Sequence, residues 1–115
     1  MKIKIVEEPI DIKELGKIGE EGFGDLVKGV VDIEKEIMAI GGELHADEEA
    51  ILLSLGSKQE NLWGINFYPQ KKDEDFIEFD SVINLKPAQG NRSRGIENLQ
   101  IQKRIKEIVE RFIKT

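Results

Sequence analysis

Hydrophobic and polar positions alternate at the N-terminal end of the chain and indicate a strand. Residues 2–6 predict a half-buried strand with Ile3 and Ile5 facing inward, and Pro9 ends it. Asp11 followed by Glu14 is an acidic variant of the capping box that opens a helix. That helix should be short, because glycine recurs at positions 16, 19, 22 and 24 and each interior glycine costs about 1 kcal/mol relative to alanine.

Residues 25–40 have the most regular helical spacing. Apolar residues recur every three or four positions, which predicts one long helix that ends at the glycines at 41 and 42. The face consists of Leu26, Val30, Ile33, Ile37 and Ile40.

Residues 43–55 fit either of two structures. We favour a strand at 50–55 that turns through residues 56–61 into a second strand at 61–68, because a nearby antiparallel partner would satisfy the backbone of that second strand. The alternative is a short helix that is capped by Asp47 and ended by Gly56.

Two strands and a helix are predicted for the remainder. The strands span residues 61–68 and 76–86, each with one apolar and one more polar face, and the helix follows a polar loop with Asn98 as its cap. The helix is indicated by apolar residues at Ile101, Ile105, Ile108 and Phe112.

The predicted fold class is therefore α+β, in a single domain covering residues 1–115. The expected order is an N-terminal strand, a short helix and a long helix, then an antiparallel three-strand meander and a C-terminal helix. The helices are expected to pack on one face of the sheet.

Composition narrows the class of protein. The chain has 115 residues and no cysteine, which excludes disulfides, thiolate metal sites and cysteine nucleophiles. No apolar run approaches the roughly 18 residues that a membrane span needs, and the N-terminal residues do not resemble a signal peptide. We therefore expect a cytoplasmic protein with no membrane partner.

Charge is distributed unevenly around the net value of −6. Residues 1–75 hold 9 basic and 18 acidic residues, giving −9, whereas residues 76–115 hold 8 basic and 5 acidic residues, giving +3. The overall acidity argues against general nucleic-acid binding, since phosphate contacts dominate that affinity. A local site for an anion in the last third remains compatible with the charge, although a solvated face of the last helix explains the asymmetry more simply.

One histidine, His45, lies among carboxylates. An imidazole beside carboxylates suits a divalent metal or general base chemistry, but one histidine without cysteine is too few for a typical zinc site. A structural histidine is the simpler interpretation, and we predict no metal and no cofactor.

A polar strand face is the second candidate. Its residues differ in chemistry more than a merely wet sheet face requires, although an antiparallel sheet with one solvated face also produces such alternation. The candidate residues are Asn66, Tyr68, Glu78, Asp80, Asn84 and Lys86.

The third candidate is the loop that precedes the last helix. Arg92 and Arg94 flank a serine between two glycines, and Asn91 lies beside them. Two guanidinium groups near a helix N-terminus suit an anion or phosphate, although no nucleotide-binding P-loop is present. The arginines could equally tie the loop to acidic residues such as Glu78 or Asp80.

Three strings in the chain carry a family resemblance: GGELHADEE, LWGINFYP and QGNRSRG. With them, residues 3–113 resemble a small single-domain prokaryotic family of unknown function. The resemblance implies a soluble prokaryotic protein and no particular activity, so it assigns no catalytic residue.

We therefore expect a binding or interaction module whose polar sheet face and arginine loop engage an anionic ligand or a protein partner, with a homodimer as one such partner. Whether the protein is an enzyme stays open. The alternative is a small phosphodiesterase or ribonuclease-like hydrolase that uses His45 or the Glu78 and Asp80 pair, with Arg92 and Arg94 holding a phosphate. A third hypothesis is an acidic partner of a basic protein, acting through the segment of charge −9.

Overall fold

The computed structural model describes residues 2–115 and has an α+β fold with three helices. In chain order, its strands and helices are β1 (Lys4–Val6), β2 (Ile10–Asp11), α1 (Ile12–Glu21), β3 (Val27–Asp32), β4 (Ile37–Ile40), α2 (His45–Ser54), β5 (Leu62–Phe67), β6 (Ile77–Glu78), α3 (Leu99–Phe112) and β7 (Ile113–Lys114). Five strands form an antiparallel sheet in the order β1-β4-β3-β5-β6, while β2 and β7 pair in parallel. The predicted α+β class is confirmed.

The strand at the start of the chain and the first and last helices are confirmed. The Asp11 carboxylate caps α1 by accepting a hydrogen bond of 2.7 Å from the Lys13 backbone N–H. The Asn98 side chain caps α3 in the same way, accepting from the backbone N–H of Gln100 at 2.8 Å. Both helices have one apolar face against the sheet, which is why the spacing of their apolar residues predicted them correctly.

The long helix predicted for residues 25–40 is wrong, because this segment is the β3–β4 hairpin. Both faces of β3 are buried, so apolar residues occur on both sides of the strand and imitate helical spacing. The turn is set by Asp32, whose carboxylate accepts from the backbone N–H groups of Glu34 and Lys35, both at 2.9 Å. Glu36 completes the turn with a φ of 57°.

The hairpin favoured for residues 50–68 is also wrong, because its first strand at 50–55 is replaced by α2, which spans residues 45–54. The helical alternative is correct, although the helix begins at His45 after Leu44 and not at the predicted cap Asp47. β5 obtains its backbone partner from β3, far earlier in the chain, so it needs no adjacent strand. That long-range pairing removes the argument on which the hairpin depended.

The strand at residues 61–68 is confirmed as β5, but the strand at 76–86 is wrong beyond the short β6. A side chain replaces the missing strand beside β5. The Gly64 N–H donates to the Asn84 amide oxygen at 2.8 Å, and the Asn84 amide nitrogen donates back to the Gly64 carbonyl at 2.9 Å. Gly64 is needed there because a Cβ would lie 2.5 Å from the Cβ of Ser81.

Helices cover both faces of the sheet, so the prediction of helices on one face is wrong. α1 and α3 pack over a large core that includes Trp63, Ile65 and Phe67. On the opposite face, Leu52 of α2 packs with Val30, among other residues, in a smaller core. Ile3 and Ile5 pack against this smaller core, as their inward position predicted. Within residues 2–115, no helix has both the length and the apolarity to cross a bilayer.

Candidate functional site

A row of three polar residues crosses the face of the sheet that α2 only partly covers. Lys28 of β3 pairs with Asn66 of β5, and Asn66 pairs with Glu78 of β6. Paired residues on neighbouring strands project to the same face, so the three side chains form a line across the sheet. We call Lys28, Asn66 and Glu78 the polar row.

Four further residues surround the polar row: His45, Tyr68, Asp80 and Arg94. Tyr68 donates its hydroxyl to a Glu78 carboxylate oxygen at 3.1 Å, and burial raises the pKa of this tyrosine, with Glu78 adding to the rise. The Asp80 backbone carbonyl accepts from the Asn66 amide nitrogen at 3.2 Å. The polar row and these four residues form what we call the sheet-face cluster: Lys28, His45, Asn66, Tyr68, Glu78, Asp80 and Arg94.

Asn66 is the buried centre of the sheet-face cluster, with 7% of its surface exposed. Its amide nitrogen donates to Glu78 Oε1 at 2.9 Å and to the carbonyl of Asp80. Both are acceptors, so the amide cannot be turned the other way without losing both bonds. The Asn66 amide oxygen is therefore fixed in a buried position, and while the neighbouring His45 ring is neutral it has no donor among residues 2–115.

His45 is the first residue of α2 and places a half-buried imidazole beside Asn66. Its Nε2 lies 2.8 Å from the carbonyl of Ile65, which can only accept, so Nε2 carries a proton. The pKa of His45 is below its ordinary value chiefly because burial penalises the imidazolium, and the Lys28 charge lowers it further. Hydrogen bonds of the imidazolium to the Ile65 carbonyl and to the Asn66 side chain oppose this fall. At neutral pH the ring is thus neutral, with its lone pair on Nδ1.

The charges of the sheet-face cluster are unequally partnered. Arg94 donates to Asp80 at 2.8 Å, so these two charges offset each other. Within residues 2–115, neither the Lys28 ammonium nor the Glu78 carboxylate has an oppositely charged group within 4 Å. The Lys28 Nζ instead lies 5.1 Å from the centre of the Phe23 ring.

Three predicted site residues serve the structure of the loop instead. Asn84 and Asn91 are buried, and their amide groups bond to backbone atoms that β5 and the loop would otherwise leave unpaired. Lys86 is 8% exposed; its Nζ donates to the carbonyl of Gln59, and burial lowers its pKa. Arg92 is exposed on the same loop, where its backbone N–H donates to Glu97. The other six predicted residues belong to the sheet-face cluster.

Lys28 was missed by the sequence reasoning because it lay inside the supposed long helix. Had residues 27–32 been taken as a strand, alternation would have placed Lys28 and Val30 opposite Val27 and Val31. The sequence contains no signal for its pairing with Asn66, because that depends on the strand order.

Glu48 is a second residue that the sequence did not indicate. It faces the sheet one turn after His45, is fully buried, and accepts a hydrogen bond of 2.9 Å from the Gly42 backbone N–H. Burial raises the pKa of Glu48 to about 9, so the group is a neutral carboxylic acid at neutral pH. Its Oε1 atom has no hydrogen-bond partner in the described part of the chain.

The sheet-face cluster is separate from two grooves on the molecule. One groove of about 870 Å³ lies between α3 and residues 69–77, and one of about 480 Å³ lies along residues 4–10; neither is lined by the cluster. Residues 2–115 bring together no group of three or more histidine, aspartate or glutamate side chains that could hold a metal. What the cluster offers chemically is hydrogen bonding, charge and one neutral imidazole.

Comparison with protein families adds a classification. A family model described as "Protein of unknown function (DUF5674)" matches residues 4–112. The chain belongs to the DUF5674 family. The match spans nearly the whole of the described structure, including every residue of the sheet-face cluster. It agrees with the resemblance of the sequence to a small single-domain family of unknown function. No curated protein and no solved structure is similar enough to count as a match to this DUF5674 chain.

Proposed function

We propose that this protein is a binding module and that the sheet-face cluster is its ligand site. One observation carries the proposal: the Asn66 amide oxygen is buried, fixed in orientation and without a donor. An unsatisfied buried acceptor costs about 1–3 kcal/mol, which a ligand that donates a hydrogen bond would recover.

The surroundings of Asn66 favour binding over hydrolysis. A phosphodiesterase needs cationic groups free to stabilise a phosphate, but Arg94 is paired with Asp80, and among residues 2–115 the Arg92 side chain forms no ion pair with the cluster. Lys28 is then the one unpaired cation that the described part of the cluster offers. The Glu78 carboxylate would also repel a phosphate placed beside Asn66. His45 and Lys28 support the hydrolase alternative, because a neutral imidazole could accept a proton and an unpaired ammonium could face a phosphate.

The ligand site is tested by recording ¹H–¹⁵N NMR spectra of the whole chain against a library of small polar compounds. We expect binders to shift the backbone amides of β5, β6 and the first turn of α2. Glu78→Gln should weaken these binders at least tenfold, while the matched exposed variant Glu107→Gln should not. The proposal would be contradicted if Glu78→Gln left the affinity of the binders unchanged, or if no compound in the library shifted these amides.

We further propose a cytoplasmic protein whose 115 residues form one domain, with a protein partner or a second copy as an additional binding class. The large core supports the single domain, since it joins residues from β1 to β7. Light scattering across a hundredfold concentration range tests for self-association: a constant monomer mass would rule out the homodimer.

A further inference from the structure

We propose that the ligand of the sheet-face cluster is a small zwitterion, carrying an ammonium and a carboxylate on one molecule as a free amino acid does. This inference depends on the binding site proposed above and names the chemical class of its ligand. It follows from the order of charges along the polar row.

The polar row presents one free positive charge, one neutral acceptor and one free negative charge. Neighbouring strands lie about 4.8 Å apart, so the backbones of Lys28 and Glu78 are roughly 10 Å apart with Asn66 midway between them. Because Asp80 and Arg94 neutralise each other, they leave this polarity intact. A ligand that complements the row must therefore be positive toward Glu78 and negative toward Lys28.

The centre and the acidic end of the row suit an ammonium group. The Asn66 amide oxygen lacks a donor, and the Asn66 amide nitrogen already binds Glu78 Oε1. An ammonium has three N–H donors, so it can bond to the Asn66 oxygen while its charge faces the Glu78 carboxylate. A ligand with only hydroxyl groups would satisfy Asn66 but would leave Glu78 without a counter-charge.

The other end of the row suits a carboxylate. Lys28 has no anionic partner there, and its charge lies close enough to His45 to lower the pKa of the imidazole. His45 begins α2, whose N-terminus has no side-chain cap. A carboxylate beside Lys28 would thus face an ammonium group and the positive end of a helix dipole.

Singly charged ligands fit the row less well. An anion alone would be attracted by Lys28 but repelled by Glu78 across the row. An amine alone would be attracted by Glu78 but repelled by Lys28. Only a molecule with both charges pairs with Lys28 and Glu78 and also supplies the missing donor at Asn66.

The test uses the twenty free amino acids as probes, each compared with its N-acetyl form and its carboxamide form. We expect at least one free amino acid to shift the cluster amides in ¹H–¹⁵N spectra. Blocking either its amine or its carboxylate should weaken binding at least tenfold. Lys28→Gln should remove the preference for the free carboxylate, and Glu78→Gln the preference for the free amine. Lys103→Gln and Glu107→Gln are exposed controls on α3 that should leave binding unchanged.

Two results would overturn the zwitterion. In the first, the N-acetyl or carboxamide form binds as tightly as the free amino acid. In the second, none of the twenty free amino acids shifts a cluster amide. If compounds of another class from the polar library then bind the cluster, the binding module survives and only the ligand class is wrong. If that library also fails, both proposals fail together.

Discussion

Glu48 should make the stability of this protein fall as pH rises. The folded state keeps the proton of this buried carboxyl up to a pKa of about 9, whereas the unfolded state releases it near the ordinary value of 4.5. Between these two pH values the folded state holds more protons, so the free energy of unfolding decreases with increasing pH. The contribution is most favourable below pH 4.5 and is lost progressively up to about pH 9.

The size of the effect follows from the linkage slope. One proton difference corresponds to about 1.4 kcal/mol per pH unit, so the contribution of Glu48 should weaken by about 4 kcal/mol between pH 5 and pH 8. That is a large share of a typical total stability of about 5–15 kcal/mol.

Urea unfolding followed by circular dichroism at pH 5, 6, 7 and 8 measures this slope. Glu48→Gln keeps an oxygen that can accept from the Gly42 N–H and cannot ionise, so its stability should lack this slope and should exceed that of the unmodified protein at pH 8. The exposed variant Glu107→Gln should retain the slope. Parallel pH profiles for the unmodified protein and Glu48→Gln would refute the reasoning, because the slope would then originate elsewhere.

Two further predictions concern the sheet and the imidazole. Gly64→Ala should destabilise the protein by about 1–3 kcal/mol in urea unfolding, because the new methyl group meets Ser81, and a second change, Ser81→Gly, should restore much of the loss; an unaffected midpoint would contradict the close packing. In ¹⁵N NMR spectra, His45 should titrate below 6.5 and show the proton on Nε2 when neutral. A ring with the proton on Nδ1 would be incompatible with the bond to Ile65.

The elements predicted correctly are those whose two faces differ in polarity. α1 and α3 have one solvated side, and their caps Asp11 and Asn98 are readable because capping is a local interaction. β3 was misjudged because it lies inside the sheet with both faces buried. α2 was misjudged because its buried side contains Glu48 beside Leu52, whereas Leu53 is exposed. A half-buried strand has apolar residues at every second position, whereas an amphipathic helix has them about every 3.6 residues. Because both sides of β3 are buried, its apolar residues follow neither period clearly, and spacing alone cannot separate strand from helix.

The same limit applies to the candidate site. The sequence predicted that Asn66, Tyr68 and Glu78 share a face, and the structure places them so, because strand alternation is local. It also placed Asn84 and Lys86 on that face, but regular alternation stops after Glu78, where the strand ends. The partner of Asn66 across the sheet, Lys28, is 38 positions earlier in the chain and follows only from the strand order.

Asn66 offers a test of whether the sheet-face cluster is kept for binding or for stability. Asn66→Leu removes two hydrogen bonds but also the unsatisfied amide oxygen, and these effects nearly cancel, so we expect a change within about 1 kcal/mol in urea unfolding. Asn91 is the matched contrast: it is equally buried, but its amide holds the loop through several backbone bonds, so Asn91→Leu should lose about 2–4 kcal/mol. A comparable loss from Asn66→Leu would mean that Asn66 is part of the fold's own support, and the argument for a ligand at its amide oxygen would no longer stand.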